Sequence, residues 1–306
     1  MIDQNIVTAV AATGSLGTGY LEETLAAAVE SGADFIGCDA GSSDPGPYFL
    51  GSGQPKHSRE TYVSDLRPML RATLEHNIPV VIGTAGQAGT ASQLAWTAQI
   101  IRELAKAEGM HFSLALINTE LSKEVLHAAL EAGRITPLGL TKPLTPQDID
   151  NAAHVTAQMG AEPFEEVLRH GAQVVVAGRA TDTSIFAAVP RMKGLAGGPT
   201  WHAAKVLECG AACVGWPASV KCRAACVESR ATRVSIRHAS AVRRGVEESA
   251  NVSRPAIAIH FAHLRLAAGA FCCAFGDQRL CPAYATVCSC GAADVVICAR
   301  RLACTR

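Results

Sequence analysis

With 306 residues and 49% hydrophobic content, the chain can bury one large core or two ordinary ones, which excludes a disordered protein. The zero formal charge hides an asymmetry: residues 1–208 carry 14 Lys and Arg against 22 Asp and Glu, and residues 209–306 carry 13 against 5. Of the 12 cysteines only Cys38 lies before residue 209, so composition changes sharply there.

Up to about residue 214 the sequence repeats one grammar, in which a short apolar run ends in glycine and polar residues before a run of helical periodicity. Ile6 to Ala12 leads into TGSLGTG, and Leu21, Leu25, Ala28 and Val29 then mark one helix face. Phe35 to Asp39 leads into AGSSDPGPYFLGSG, whose Gly and Pro content predicts a loop without helix. Ser58 is placed to cap a helix through Arg71, and Pro79 to Ile82 begins a strand that ends in GTAGQAG. A helix over Ser92 to Ala107 follows, then a strand over Phe112 to Ile117 ending at Asn118. A helix over Ser122 to Ala132 and another ending over Pro163 to Arg169 come next, before a fifth strand at Val174 to Val176. Strands alternating with helices predict an α/β fold with a mostly parallel sheet. A doubly wound open sheet is favoured and a partial barrel is the alternative; both put the strand C-termini on one functional edge.

The residues able to carry chemistry fall on that edge. Asp39 and Asp44 are carboxylates on one loop with Ser42, Ser43 and the amides around Gly41 and Gly46; they serve a site or simply close turns. In GTAGQAGTASQ, Thr84, Gly86 and Gly89 precede a helix, an arrangement that can offer amides to an anion, with helix capping as the plain alternative. That segment has neither the P-loop lysine nor a GxGxxG spacing, so it defines no nucleotide motif. In VVVAGRATDTSIFAAV, Arg179 follows a strand end where its fork can hold a carboxylate. Thr181 or Asp182 can cap the next helix while the other faces the cleft. Trp201, Lys205 and Glu208 lie near one face of a helix that reads as packed structure.

No pair of CxxC knuckles and no CxxC with HxxxH is present, so no metal site is expected from the cysteines. The arginines of the second part are scattered and aromatics are few, which argues against nucleic acid. Its most apolar window, Ala256 to Phe275, is broken by His260, His263 and Arg265 and does not suit a membrane span. The opening MIDQNIVTAV lacks the pattern of a secretion signal, so a cytoplasmic location with free thiols is expected.

The stretches ADFIGCDAGSSDPGPYFLGSG, PVVIGTAGQAG, TAQMGAEPF, VVVAGRATDTSIFAAVPRMKG and WHAAKVLECGAACV, in this order, resemble the acyclic terpene utilisation family AtuA over roughly residues 1–214. The resemblance implies a cytoplasmic catabolic protein associated with the breakdown of branched acids or their CoA thioesters. No catalytic assignment is carried over; the resemblance singles out Asp39, Asp44, Arg59, Thr84, Arg179, Thr181 and Asp182 because they lie in the shared motifs.

The expected function is an enzyme acting on a small branched carboxylate or acyl-CoA by proton abstraction with hydration, isomerisation or elimination. Arg179 would hold the anion and Asp39, Asp44 or Asp182 would move a proton. Ser42, Ser43, Arg59, Thr84, Gly86, Gly89, Asn118 and Thr181 complete the expected binding set, and the cofactor is left open. The competing class is a non-catalytic ligand-binding or complex-forming subunit. Expected partners are a small anionic or acyl-CoA ligand and a second copy or catabolic subunit, with neither nucleic acid nor membrane.

From residue 215 the resemblance stops, and the segment holds nine cysteines and twelve arginines with Lys221 as its one lysine. Out-of-frame reading of GC-rich coding sequence enriches arginine, alanine and cysteine in this way; a divergent domain is the rival origin. Two units are therefore expected, an α/β domain at 1–214 and an atypical tail at 215–306. Reading the other two frames after the Val214 codon is expected to recover glycine-rich, periodic sequence, whereas ordered tail strands in register with the first sheet would count against the frameshift.

Overall fold

Runs of small and β-branched residues make the strands β1 (Val7–Ala11), β2 (Phe35–Asp39), β3 (Val80–Gly83), β4 (Ser113–Ile117) and β5 (Val174–Ala177) of a computed structural model. The structure describes residues 7–42, 45–137, 139–195, 197–208, 233–236 and 300–301. The five strands are parallel in the order β1-β2-β3-β5-β4. Two further strands flank them antiparallel: β6 (Arg233–Ile236) pairs with β1, and β7 (Arg300–Arg301) with β4. These two are the described part of the region beyond residue 215, and their pairing with β1 and β4 counts against an out-of-frame origin; the rest of the tail lies outside the described residues.

Because successive side chains point to opposite faces, each strand feeds two cores. On one face Ile36, Cys38, Val80, Ile82, Val174 and Val176 pack with buried residues of α1 (Glu22–Glu30), α3 (Arg59–His76) and α4 (Ala91–Glu108). On the other, Phe35, Val81, Ala115, Ile117, Val175 and Ala177 pack with α7 (Glu162–Arg169), α8 (Asp182–Met192) and α9 (Gly197–Glu208). An open sheet covered on both faces is doubly wound, and the sheet does not close as a partial barrel would.

The helix starts follow from the sequence. Ser58 accepts from the Thr61 amide at the start of α3, and Ser122 from Val125 at the start of α5 (Lys123–Glu131). Thr90 forms a reciprocal capping box with Gln93 at α4, two residues ahead of the expected start at Ser92. One expectation is corrected: the Gly- and Pro-rich loop after β2 contains a short helix, α2 (Tyr48–Ser52). Pro47 stands before its first turn and left-handed Gly53 ends it, so the residues that discourage a long helix here delimit a short one. A second short helix, α6 (Pro146–Asn151), starts at a Thr145–Asp148 capping box.

The connections fix where a site can form. The helices α1, α3 and α4 lie on one face while the chain advances from β1 through β4; α7 then returns on the opposite face to β5, inserted beside β3. After β3 and β5 the chain therefore leaves to opposite faces, which makes this the switch point of the doubly wound sheet. Among the described residues no helix is long and apolar enough to cross a membrane.

Candidate functional site

Asp39, Thr84, Asn118 and Arg179 follow the ends of β2, β3, β4 and β5, so the parallel arrangement brings all four to one sheet edge. Two more elements converge there: Asp182 is the first residue of α8, and Glu208 is the last of α9, which packs on α8. Asp39, Asp182 and Glu208 each offer a carboxylate oxygen, and the three lie within 4.8 Å of one another.

The electrostatics of this cluster are set by burial. Asp39 is 0% exposed; its Oδ1 accepts from the Gly41 amide at 2.9 Å, and its Oδ2 is buried without a hydrogen-bond partner. Burial first, and then the charges of Asp182 and Glu208, push its carboxyl up to about 7, while the Gly41 amide and Arg179 oppose the rise. Asp182 is also raised, by burial and Glu208, against Arg179 and Lys205. Glu208 is buried and pairs with Lys205 one helical turn back. Neighbouring Cys38 belongs to the core on the opposite side; burial raises its thiol, which makes it a poor nucleophile.

Arg179 is held by its backbone. Its amide donates to Thr119 Oγ1 at 2.6 Å, and its guanidinium reaches the Gln87 carbonyl at 3.5 Å. The loop after β3 is stitched to the loop after β5: the Thr84 amide donates to the Gly178 carbonyl at 2.9 Å, and the Ala180 amide donates to Thr84 Oγ1 at 3.3 Å. Thr84 and Gln87 both adopt positive φ, 52° and 108°. For a β-branched threonine this is a strained conformation of the kind that concentrates at functional sites.

Several expected binding residues already have work within the protein. The Ala88 and Thr90 amides, candidates for an anion cradle, donate to Gln93 Oε1 at 3.0 and 3.3 Å, and the Ala91 amide donates to Glu120 at 2.6 Å. Gly86 and Gly89 have positive φ and lie against Gln93 and the Arg179 backbone. Asn118 Oδ1 accepts from the Glu120 amide at 3.1 Å, and Arg59 pairs with Glu103 on α4. Ser42 is buried near Asp39, whereas Ser43 and Asp44 lie outside the described residues. Thr181 occupies the N-cap of α8 but makes no side-chain cap bond, so the division of labour expected between it and Asp182 takes a different form. Asp182 brings a carboxylate to the positive end of the helix and to the cluster together.

Glu208 is the member of the carboxylate cluster that the sequence analysis leaves among packed structure. Its position beside Lys205 on one helical face is visible in the sequence, but its approach to Asp39 depends on how α9 packs. A hydrogen-bonded pair also escapes the sequence: His154 Nδ1 lies 2.6 Å from Glu120 Oε1 beside α4. Two surface depressions, one along residues 135–148 and one where α3 and α4 end, are lined by none of these groups. Among the described residues, Asp39, Asp182 and Glu208 are the group able to hold a metal ion jointly.

A family model described as acyclic terpene utilisation family protein AtuA matches residues 17–220, a span that contains every residue of the cluster. No curated protein and no solved structure matches the chain.

Proposed function

The chain belongs to the acyclic terpene utilisation family AtuA, and from that premise we propose that it is a catabolic enzyme acting on a small branched carboxylate or acyl-CoA thioester. Family membership supports a role in acyclic terpene utilisation; the family resemblance suggests a branched acid or its thioester, and the carboxylate cluster beside an arginine supports acid–base chemistry on an anion. The observation that carries the reading is the convergence of Asp39, Asp182 and Glu208 beside Arg179 at the C-terminal edge of the sheet. A guanidinium there attracts an anionic substrate and can bind it bidentately. The carboxylate cluster then handles the proton gained or lost in hydration, isomerisation or elimination next to the substrate carbonyl. Building three carboxylates into one place, with Asp39 and Glu208 buried, opposes folding, and such local cost is characteristic of sites retained for chemistry.

The test is a mass-spectrometric screen of branched acyl-CoAs and hydroxy acids with the full chain. One substrate is expected to be consumed, and Arg179→Ala is expected to weaken its binding about 10- to 100-fold, the worth of a hydrogen bond to a charged group. Saturable binding with no turnover of any bound compound would instead identify a ligand-binding subunit. An Arg179→Ala variant with unchanged affinity would remove the arginine from the site.

A further inference from the structure

We infer that Asp39, Asp182 and Glu208 form a binding site for one hard divalent cation of the Mg2+ or Mn2+ type. This deepens the proposed function, on which only its substrate arm rests. The three carboxylates come from separate elements, the end of β2, the start of α8 and the end of α9, yet present oxygens within 4.8 Å of one another. That spacing suits oxygens ligating one ion, since ligand distances of about 2.0–2.6 Å place two oxygens of a shared cation no more than about 5 Å apart.

Independent support comes from the unused oxygen of Asp39. Its Oδ1 is engaged by the Gly41 amide, while Oδ2 is fully buried and has no donor among the described residues. A buried carboxylate oxygen without a partner is costly, and a cation answers that need where the neighbouring side chains are themselves carboxylates. The donor set is oxygen only, and Cys38, adjacent in sequence, belongs to the core on the other face of the sheet. Such a set suits a hard ion, and the absence of thiolate or imidazole from it removes the donors that favour softer metals.

Charge balance connects the cation to the substrate. Three carboxylates face Arg179 and Lys205, a formal excess of one negative charge. A dication turns this into an excess of one positive charge, which a singly charged substrate carboxylate neutralises. Three protein oxygens also leave coordination positions for water and a substrate oxygen. A cation held by Asp39, Asp182 and Glu208 would supply a bound water of lowered pKa for the proton transfer that the cluster handles.

The experiment is calorimetric titration of Mn2+ into the full chain stripped with EDTA. One ion per chain is expected, and Asp182→Asn and Glu208→Gln, each shown to be folded by circular dichroism, are expected to weaken it at least 10-fold. No binding to the unsubstituted chain, or unchanged affinity in both folded variants, would overturn the site. The readout is separate from that of the proposed function. Mn2+ binding without turnover of any branched acid or thioester leaves the cation site and removes the enzyme reading. Turnover that persists fully in EDTA, with no Mn2+ bound, does the reverse.

Discussion

Asp39→Asn is expected to make the cation-free protein more stable at pH 8 while abolishing its function. The carboxyl of Asp39 ionises near 7 in the folded chain against an ordinary value of 3.8, because burial and the charges of Asp182 and Glu208 disfavour its anion. A raised carboxyl contributes stability that is fully present below the unfolded value of 3.8 and is lost as pH rises through 7. Over the whole window the loss is about 4 kcal/mol, of which roughly 1 kcal/mol falls between pH 6 and pH 8. Asparagine keeps an oxygen for the Gly41 amide and turns a donor toward the two carboxylates, so it avoids the cost of ionisation without leaving a cavity. The opposing groups, Arg179 beside Asp39 and Lys205 beside Glu208, are unchanged by the substitution. Urea unfolding in EDTA at pH 6 and pH 8 measures the effect. The unsubstituted chain should lose stability between these values and the variant should lose markedly less. Equal losses, or a variant less stable at pH 8, would show that Asp39 is not a strained carboxylate. Saturating Mn2+ should remove much of the difference by stabilising the unsubstituted chain, with all three carboxylates, more than the variant.

The parts of this arrangement readable from sequence are those set by local pattern. All five parallel strands were legible because Val7–Ala11, Phe35–Asp39, Val80–Gly83, Ser113–Ile117 and Val174–Ala177 are short, apolar and followed by polar or glycine-rich turns. The same pattern placed Asp39 and Arg179 at strand ends, and parallel pairing does the rest by bringing those ends to one edge. What the sequence left out depends on packing between distant segments. Glu208 joins Asp182 across 26 positions only because α9 folds back on α8. A glycine-rich loop reads alike whether its amides face a ligand or a glutamine, and here Gln93 takes those of Ala88 and Thr90. Arg59 illustrates the same limit, since nothing local shows that its partner is Glu103, 44 residues on. The positive φ of Thr84 and Gln87 was hidden for the opposite reason: propensity points away from it, and tertiary bonds to the β5 loop impose it.

That seam between the two loops is the subject of the second large effect: Gly89→Ala is expected to cost about 3 kcal/mol and to displace Arg179. Gly89 has φ +73°, and a Cβ there would stand 2.2 Å from the Arg179 nitrogen and 2.5 Å from the Gly178 carbonyl carbon. Both are backbone atoms, so no rotamer change relieves the contact. The loops cannot separate freely either, because the Thr84 and Ala85 amides donate across the seam to Gly178 and Ala177, each at 2.9 Å, and the Gly89 amide donates to Ala85 at 3.0 Å. Gly109, the C-cap of α4, supplies the control: its φ is +65°, but a Cβ there meets nothing within 4 Å. Gly109→Ala therefore carries the backbone strain alone, about 1 kcal/mol, and the remaining 2 kcal/mol or so at position 89 measures the clash with the β5 loop. Chemical denaturation of the two variants at one pH separates the terms. Displacement of Arg179 should also lower affinity for an anionic substrate in Gly89→Ala and leave it unchanged in Gly109→Ala. If the two variants lose equal stability, the seam is pliant, and Arg179 owes its place to its own bonds with Thr119 and Gln87 instead of to the close approach that only glycine permits.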